Sequence, residues 1–427
     1  MHRRLHFCVA TTVYNMLAQC QKMRYNKDMQ LDFSTRMNGL NGNATREIFK
    51  LLTRPEIVSF AGGLPSNECL PIEEIAEISN TLLKSKHATR ILQYGTTEGF
   101  VDLKEALLTH VKGVGITNQT LDNCLVISGG QQGLYLALSS FIDKGDVVLV
   151  ENPTYLAVLP MIQGFEGKAV GVNATENGLD LADLEEKIIK HKPKMLYVVP
   201  TFSNPTGKTY SVENRKKIAE LSAKYNVIVI EDDPYSALRF EGNALVSIKS
   251  FDTIGNIIYI SSFSKTLAPG LRVGVAIGDA HIIRKMVILK QSADLHTSNL
   301  SQAIVLECLK QNLIAKSVKK SMPIYLQRKN AMVAAIQAYM PKSFKFTNPE
   351  GGLFIWGEFE KGVDTVALFK EAIDKNVAYI QGQVFFAENV HKQVDALAYK
   401  NTIRLNYSTE TPSSITSGIQ NLSKIFS

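Results

Sequence analysis

The 427-residue sequence lacks the patterns that identify disulfide-rich and metal-binding proteins. Its five cysteines are widely spaced and form no C-x-x-C pair, so neither a disulfide framework nor a zinc site is predicted, and a reducing environment fits best. None of the eight histidines stands in an H-E-x-x-H motif, which is typical of zinc peptidases. We therefore predict that the protein holds no metal.

Long apolar runs and clusters of basic residues are also absent. A membrane-spanning helix needs about 18 or more consecutive apolar residues, and the sequence contains no such stretch. The net charge of +7 is spread along the chain, without the basic cluster that binds nucleic acid. We predict neither a membrane nor a nucleic-acid partner, and expect the positive charge to attract small anions.

The first 27 residues contain no aspartate or glutamate, and basic residues stand on both sides of an apolar run, FCVATTVYNMLA. This composition fits a transit or signal segment, and import into a mitochondrion-like organelle would follow. The alternative is an upstream start codon, with the globular sequence beginning near Met23 or Met29. In that case we expect a cytoplasmic protein.

From about residue 98 the sequence alternates helical segments with short, β-branched apolar runs, as in an α/β fold. The runs predict about seven strands in a mainly parallel sheet: NCLVI, DVVLVE, KAVGVNA, KMLYVV, VIVIED, NIIYISS and VGVAIG. Two long helices are predicted over 299–318 and 322–340. The predicted organisation is an N-terminal extension (1–28), part of a small domain (29–80), a large domain (81–320) and a C-terminal small domain (321–427).

Polar residues follow five of the predicted strands, and ligands of parallel sheets bind where strands end. Each of these features has a plain structural interpretation, as a turn, a packed ring or a solvated charge. Together they supply phosphate donors, an aromatic ring, an amide, a carboxylate and an amine. The residues concerned are Gly130, Gln131, Tyr155, Asn204, Asp232, Tyr235, Ser262, Ser264, Lys265 and Arg272.

Two of the five strand ends carry charged residues. Burying Glu231, Asp232 and Asp233 side by side is costly without partners, so a buried cation is expected nearby. Lys265 follows a buried strand, where a lysine can be desolvated. Desolvation lowers the pKa of a lysine and makes its amine a nucleophile towards a carbonyl.

The order of eight motifs resembles the fold-type I pyridoxal-phosphate aminotransferases, in the branch of 2-aminoadipate and kynurenine aminotransferases. These motifs are FAGGLP, LQYGTTEG, SGGQQGL, ENPTY, SNPTG, EDDPY, SFSKTLAPGLRVG and RLNYS. The resemblance covers roughly residues 30–427. It implies a large domain on a mainly parallel seven-stranded sheet, a smaller α/β domain made from the two chain ends, and pyridoxal 5'-phosphate as cofactor.

The resemblance also implies a role for each cofactor-binding residue. Lys265 would hold the cofactor through an imine bond and transfer the Cα proton, and Asp232 would pair with the pyridine nitrogen. Tyr235 and Asn204 would bond the ring oxygen, and Tyr155 would stack on the ring. The phosphate would take Ser262, Ser264, Arg272 and the backbone of Gly130 and Gln131, although some relatives have serine where Gly130 stands.

For the substrate, the resemblance implies that Arg404 clamps the α-carboxylate and that Gly63 leaves room for it. Asn204 would also face the substrate. Arg46 would lie on an N-terminal helix near a distal carboxylate, unless it is a plain surface arginine. Tyr94 would reach the phosphate of a neighbouring subunit, which implies a homodimer with shared active sites.

The implied activity is transfer of the amino group of an L-amino acid (2-aminoadipate, aromatic or branched-chain) to a 2-oxo acid such as 2-oxoglutarate, in two half-reactions. One alternative is a lyase or decarboxylase with the same cofactor. Another is a regulator that senses the cofactor without turnover. Such regulators carry a DNA-binding domain of about 70 residues before this part, for which the sequence before Met29 is expected to be too short.

Overall fold

The computed structural model describes residues 33–37, 40, 54–390 and 399–426. The chain divides into an N-terminal unit, residues 1–41, and a main unit, residues 42–427. Within the described part of the N-terminal unit, Thr35–Met37 form one 3-10 turn. Everything that follows concerns the main unit.

The strands of the described part are β1 (Val58–Ser59), β2 (Cys124–Ile127), β3 (Val147–Asn152), β4 (Lys168–Thr175), β5 (Gly178–Leu179), β6 (Met195–Val198), β7 (Ile228–Asp232), β8 (Ile257–Ser262), β9 (Gly274–Ile277), β10 (Lys345–Phe346), β11 (Phe354–Glu358), β12 (Val377–Ala378), β13 (Ile380–Gln381) and β14 (Thr402–Asn406).

The α-helices of the same part are α1 (Ile72–Lys84), α2 (Ala88–Leu92), α3 (Val101–Val111), α4 (Gly130–Phe141), α5 (Val158–Gly164), α6 (Leu181–His191), α7 (Val212–Tyr225), α8 (Ala280–Ala293), α9 (Asn299–Lys310), α10 (Leu313–Tyr339), α11 (Phe369–Asp374), α12 (Ala387–Val390) and α13 (Pro412–Phe426). None of these helices is both long and apolar enough to span a membrane.

The large sheet has the order β2-β9-β8-β7-β6-β3-β4-β5. The pairs β3–β4, β3–β6, β6–β7 and β7–β8 are parallel, whereas β2–β9, β8–β9 and β4–β5 are antiparallel. All residues of β2, β6 and β9 are buried, as expected for strands covered by helices on both faces. The seven predicted strands are all present, and β5 adds a two-residue edge.

A second, antiparallel sheet has the order β10-β11-β14-β13, and a two-stranded parallel sheet pairs β1 with β12. The latter pairing joins an early segment of the chain to a late one. The predicted α/β architecture, with a large mainly parallel sheet and a smaller unit from the two chain ends, is confirmed. The domain boundaries at residues 28, 80 and 320 stay a prediction.

The break between the two long helices lies earlier than predicted. Helix α9 ends at Lys310, and α10 begins at Leu313 and continues through Pro323 to Tyr339. Asn312 is left-handed (φ 55°), a conformation that asparagine tolerates better than most residues. Proline removes one hydrogen bond of a helix, and the packing of α10 against α13 offsets that loss.

Candidate active site

A cavity of about 450 Å³ opens at the carboxyl ends of the parallel strands. Strand β7 ends there at Asp232, β8 ends at Ser262, and α4 begins there at Gly130. Residues from β11 and β14 of the small sheet, Phe354 and Arg404, close the opposite side. A wider groove of about 850 Å³ lies beside α3, α9 and α10, and none of the predicted site residues that the structure describes lines it. Size alone therefore does not identify the site.

Lys265 lies in the turn after β8, which the buried side chains of Phe263 and Leu267 anchor. Its Nζ donates to the carbonyl oxygen of Gly63 at 2.7 Å. Burial lowers the pKa of Lys265 to about 8, and the positive charges of Arg404 and Arg272 act in the same direction. Lys265 is thus a lysine whose neutral amine is accessible near physiological pH.

The three consecutive carboxylates at the end of β7, Glu231, Asp232 and Asp233, have different partners. Glu231 accepts from the backbone N–H groups of Ile248 and Lys249, both at 2.8 Å, and lies 4.0 Å from the buried guanidinium of Arg215. Asp233 accepts from the hydroxyl of Tyr259 at 2.9 Å and from the N–H of Ser236. The predicted buried cation is therefore present: it is Arg215, which lies beside Glu231.

Asp232 is the carboxylate that lines the cavity. The hydroxyl of Tyr197, on the neighbouring strand β6, donates to its Oδ2 at 2.8 Å. Burial raises the pKa of Asp232 to about 7, and the bond from Tyr197 opposes that rise. A cation beside this carboxylate would be strongly favoured, because it would stabilise the ionised form.

Arg272 organises one corner of the cavity. Its Nη2 donates to the carbonyl oxygen of Ser128 at 3.0 Å, and its Nη1 lies 3.4 Å from Ser264 Oγ. Gly129 has φ +85°, and a Cβ there would lie 2.4 Å from Arg272 Nη2. Since α4 begins at Gly130, its unpaired N–H groups and the guanidinium meet at this corner, which suits a phosphate.

Arg404, on β14, is buried among aromatic rings and protein acceptors. Its guanidinium carbon lies 4.3 Å from the ring centre of Phe354 and 5.3 Å from that of Phe385. Its Nη2 donates to Ala61 and Gly62, and its Nη1 donates to Asn204 Oδ1 at 2.9 Å. Burial lowers the pKa of Arg404 to about 10, and its buried Nε has no hydrogen-bond partner among the residues that the structure describes.

The cavity brings together all of the predicted site residues except Tyr94 and Arg46. Tyr94 lies outside it, 77% exposed, with its ring edge-on to His296. Arg46 lies outside the described residues. The phenol of Tyr155, another predicted residue, is 3.4 Å from Gln131 Oε1.

Sequence reasoning missed Tyr197 and Phe354. Tyr197 lies within an apolar strand, and its contact with Asp232 follows from the pairing of β6 with β7. No local pattern signals that pairing. Phe354 follows the pair Gly351 and Gly352, which could have indicated a close approach of the chain to other groups.

Comparison with known proteins gives a consistent result. The sequence profile described as aminotransferase class I and II matches residues 58–422. The chain is 38% identical to aromatic-amino-acid aminotransferase 1 of Thermococcus litoralis over 93% of its own length and 94% of that protein.

Two solved structures are similar over nearly the whole chain. Kynurenine aminotransferase of Pyrococcus horikoshii, in complex with PMP, is 39% identical with a TM-score of 0.87, covering 93% of this chain and 98% of that one. The alpha-aminoadipate aminotransferase of Thermus thermophilus, complexed with N-(5'-phosphopyridoxyl)-L-leucine, is 33% identical with a TM-score of 0.83, covering 92% and 97%.

Proposed function

Because the chain belongs to the class I and II aminotransferases, and is thus a transaminase that uses pyridoxal phosphate, we propose that Lys265 carries the cofactor and that the donor is an aromatic, branched-chain or 2-aminoadipate-type L-amino acid. The proposed acceptor is a 2-oxo acid such as 2-oxoglutarate. The observation that carries this proposal is the meeting of Lys265, Asp232 and Arg272 around one cavity.

The residues fit the three reactive parts of the cofactor. An amine of lowered pKa, Lys265, suits its aldehyde, and the buried carboxylate of Asp232 suits its pyridinium nitrogen. Arg272 and the start of α4 suit its phosphate. The cofactor, when bound, supplies an electron sink for the electrons left when a bond to the substrate Cα breaks.

Lys265 is proposed as both the attachment point and the proton carrier. With a pKa near 8, a substantial fraction of its amine is neutral at physiological pH, so Nζ can bond carbon and can accept a proton. Once substrate replaces it, Nζ would take the proton from the substrate Cα and return it on the cofactor side. Such a group works as base and then as acid within one half-reaction.

Asp232 and Tyr197 would hold the positive charge of the pyridinium nitrogen. The carboxylate of Asp232 is costly to ionise where it is buried, since burial raises its pKa to about 7. A cation beside it would lower that pKa and keep both groups charged. Tyr197 orients the carboxylate through Oδ2 and leaves Oδ1, which faces Gly130, for the cofactor.

Arg404 would bind the α-carboxylate of the substrate. Its contacts with Asn204, Ala61 and Gly62 fix the guanidinium, and within the described part of the chain Nε is a buried donor without an acceptor. An unpaired buried donor is costly, so an incoming carboxylate that accepts from Arg404 gains affinity.

The rest of the cavity favours amino-acid substrates with apolar side chains. Its wall includes Leu64, Leu156, Ala157 and Phe354. The cations that line it within the described residues are Lys265, Arg272 and Arg404, each of which already has a proposed partner. An aromatic or branched side chain fits such a wall. An acidic donor such as 2-aminoadipate would need a further cation, for which Arg46 is the candidate.

We also propose that the protein is a homodimer with shared active sites. Three large apolar side chains around α1 and α2 are mostly exposed: Ile72 (66%), Leu92 (70%) and Tyr94 (77%). A subunit partner would cover such a surface. Light scattering of the full chain tests this proposal, and a monomer at micromolar concentration would contradict it.

The proposed activity is tested by half-reactions that are followed in the visible spectrum. Phenylalanine, leucine, 2-aminoadipate and glutamate are added singly to the cofactor-loaded protein. We expect the visible band to be lost fastest with the apolar donors and to be restored by 2-oxoglutarate. A band that none of the donors converts would refute amino transfer from them. Rapid reaction with glutamate alone would refute the apolar substrate class.

A further inference from the structure

A buried lysine outside the cavity is connected by hydrogen bonds to the turn that precedes α4. Lys290, on α8, is 0% exposed, and its Nζ donates to Gln132 Oε1 at 2.8 Å. The same ammonium donates to both carboxylate oxygens of Asp294, at 2.9 and 3.0 Å. Neither Lys290 nor Asp294 lines the cofactor cavity.

The pair reaches the turn through two further residues. Gln132 Oε1 also accepts the N–H of Ser128 at 2.8 Å, and Gln132 Nε2 donates to Asp294 Oδ2 at 2.7 Å. The hydroxyl of Ser128 donates to Asp294 Oδ2 at 2.9 Å. The N–H and hydroxyl of Ser128 are therefore both held by this network, which consists of Lys290, Asp294, Gln132 and Ser128.

The network is continuous with Arg272. The carbonyl oxygen of Ser128 accepts from Arg272 Nη2, so the same peptide segment is held from the α8 side and bonds the guanidinium on the cavity side. Gly129 and Gly130 follow directly. Glycines restrict the backbone least, so external bonds are what fix the direction of their N–H groups.

Stability alone does not explain the network. Placing an ammonium group at zero exposure is costly, and an apolar pair of similar volume is often as stabilising as a buried ion pair. A buried ion pair also restricts the orientation of the groups that are hydrogen-bonded to it. Here the neighbours are the turn and Arg272.

We propose that Lys290 and Asp294 are positioning residues for the cofactor phosphate. They orient Arg272 and residues 128–131, which comprise the turn before α4 and the first two residues of that helix, without touching the cofactor. This inference rests on the proposed assignment of that turn and Arg272 to the phosphate. It predicts that losing the network weakens binding of the phosphate and leaves the remaining cofactor contacts intact.

The test compares two ligands that differ only in the phosphate, pyridoxal phosphate and pyridoxal. The full chain is freed of cofactor by a half-reaction and dialysis, and the dissociation constants of both ligands are measured from the visible band. The variants are Lys290→Met and Asp294→Asn. The matched control is Lys329→Met, because Lys329 is another buried lysine that bonds an amide oxygen (Asn348, 3.2 Å) and lies near a carboxylate (Glu241, 3.7 Å).

We expect Lys290→Met and Asp294→Asn to weaken pyridoxal phosphate about 10-fold or more, since each removes charge-assisted hydrogen bonds, and to change pyridoxal affinity less than about 2-fold. Lys329→Met should change neither. The proposal is overturned if both variants bind pyridoxal phosphate as tightly as the unmodified protein does, or if they lose affinity equally for pyridoxal phosphate and pyridoxal. If Lys290→Met does not fold, Asp294→Asn decides, because it keeps the shape of the network.

Failure of the underlying assignment has a different signature. If the unmodified protein binds the two ligands equally well, or if Arg272→Met leaves their ratio unchanged, then the turn and Arg272 do not hold the phosphate. If Arg272→Met removes the preference for pyridoxal phosphate but Lys290→Met does not, the assignment stands and the positioning role is refuted.

Discussion

Replacing Tyr197 by phenylalanine should change the charge of Asp232 with little change in shape. The variant loses the hydroxyl that donates to Asp232 Oδ2 at 2.8 Å. A hydrogen bond to a charged group is worth about 1.5–3 kcal/mol, and one pKa unit corresponds to about 1.4 kcal/mol. The pKa of Asp232, already raised to about 7 by burial, should therefore rise by about 1–2 units.

The consequence is measurable in cofactor affinity. Ionised Asp232 is the form that pairs with a pyridinium nitrogen, so the affinity for pyridoxal phosphate should fall as Asp232 is protonated. Dissociation constants measured between pH 6 and 9 should show this fall near pH 7 in the unmodified protein, in addition to the effect of Lys265, which titrates near pH 8 in both proteins. In Tyr197→Phe the midpoint should move upward by about 1–2 units.

Tyr259→Phe is the matched control. Tyr259 is equally buried and donates to the adjacent carboxylate, Asp233, at 2.9 Å, but Asp233 does not line the cavity. Its loss should leave the midpoint unchanged. A folded Tyr197→Phe protein with an unshifted midpoint would refute the reasoning, and so would an equal shift in both variants.

Three further predictions concern stability and the cavity. The protein without cofactor should lose stability as pH rises from about 4 to 7, because three buried carboxyls bind more protons in the folded state than in the unfolded state over that interval. The free energy of unfolding in urea should fall less steeply with pH when any one of these carboxyls is changed to its amide. Those carboxyls, each with a pKa raised to about 7 by burial, are Glu151, Glu231 and Asp232. Gly129→Ala should weaken pyridoxal phosphate binding about 10-fold or more by displacing Arg272. Gly145→Ala is the control, because Gly145 has a similar φ of +88° and no described atom lies within 4 Å of the added Cβ, so this change should reduce only stability. Equal affinities in the two variants would contradict the prediction. Arg404→Gln should raise the KM for the amino donor by about 10-fold or more and reduce cofactor affinity by a smaller factor, because the charge of Arg404 also helps to lower the pKa of Lys265. An unchanged KM would remove Arg404 from the substrate site.

The sequence predicts the strands and the residues at their ends because both depend on local patterns. The short apolar runs predict seven strands, and the chemistry of parallel sheets directs attention to the residues that follow them. Lys265, Asp232 and Arg272 are found in this way, and they line one cavity in the structure.

The contacts that depend on tertiary packing are not predicted. In the sequence, Tyr197 is indistinguishable from other residues of an apolar strand, and its contact with Asp232 depends on the order of strands in the sheet. Lys290 is likewise indistinguishable from other helical lysines, and its contact with Gln132 depends on helix packing. The helix break at Asn312 was missed for a related reason. The sequence prediction ended one helix at residue 318 and began the next at residue 322, beside Pro323, whereas α10 runs through this region without a break.

The most direct test of the central claim is to locate the cofactor on the chain. Borohydride reduction makes the bond between lysine and cofactor permanent, and peptide mass spectrometry then identifies the labelled residue. We predict a single phosphopyridoxyl group on Lys265, in the peptide that contains SSFSKTLAPGLR, and no label after Lys265→Ala. A label on another lysine, or an unlabelled Lys265 in active protein, would contradict the assignment on which the account depends.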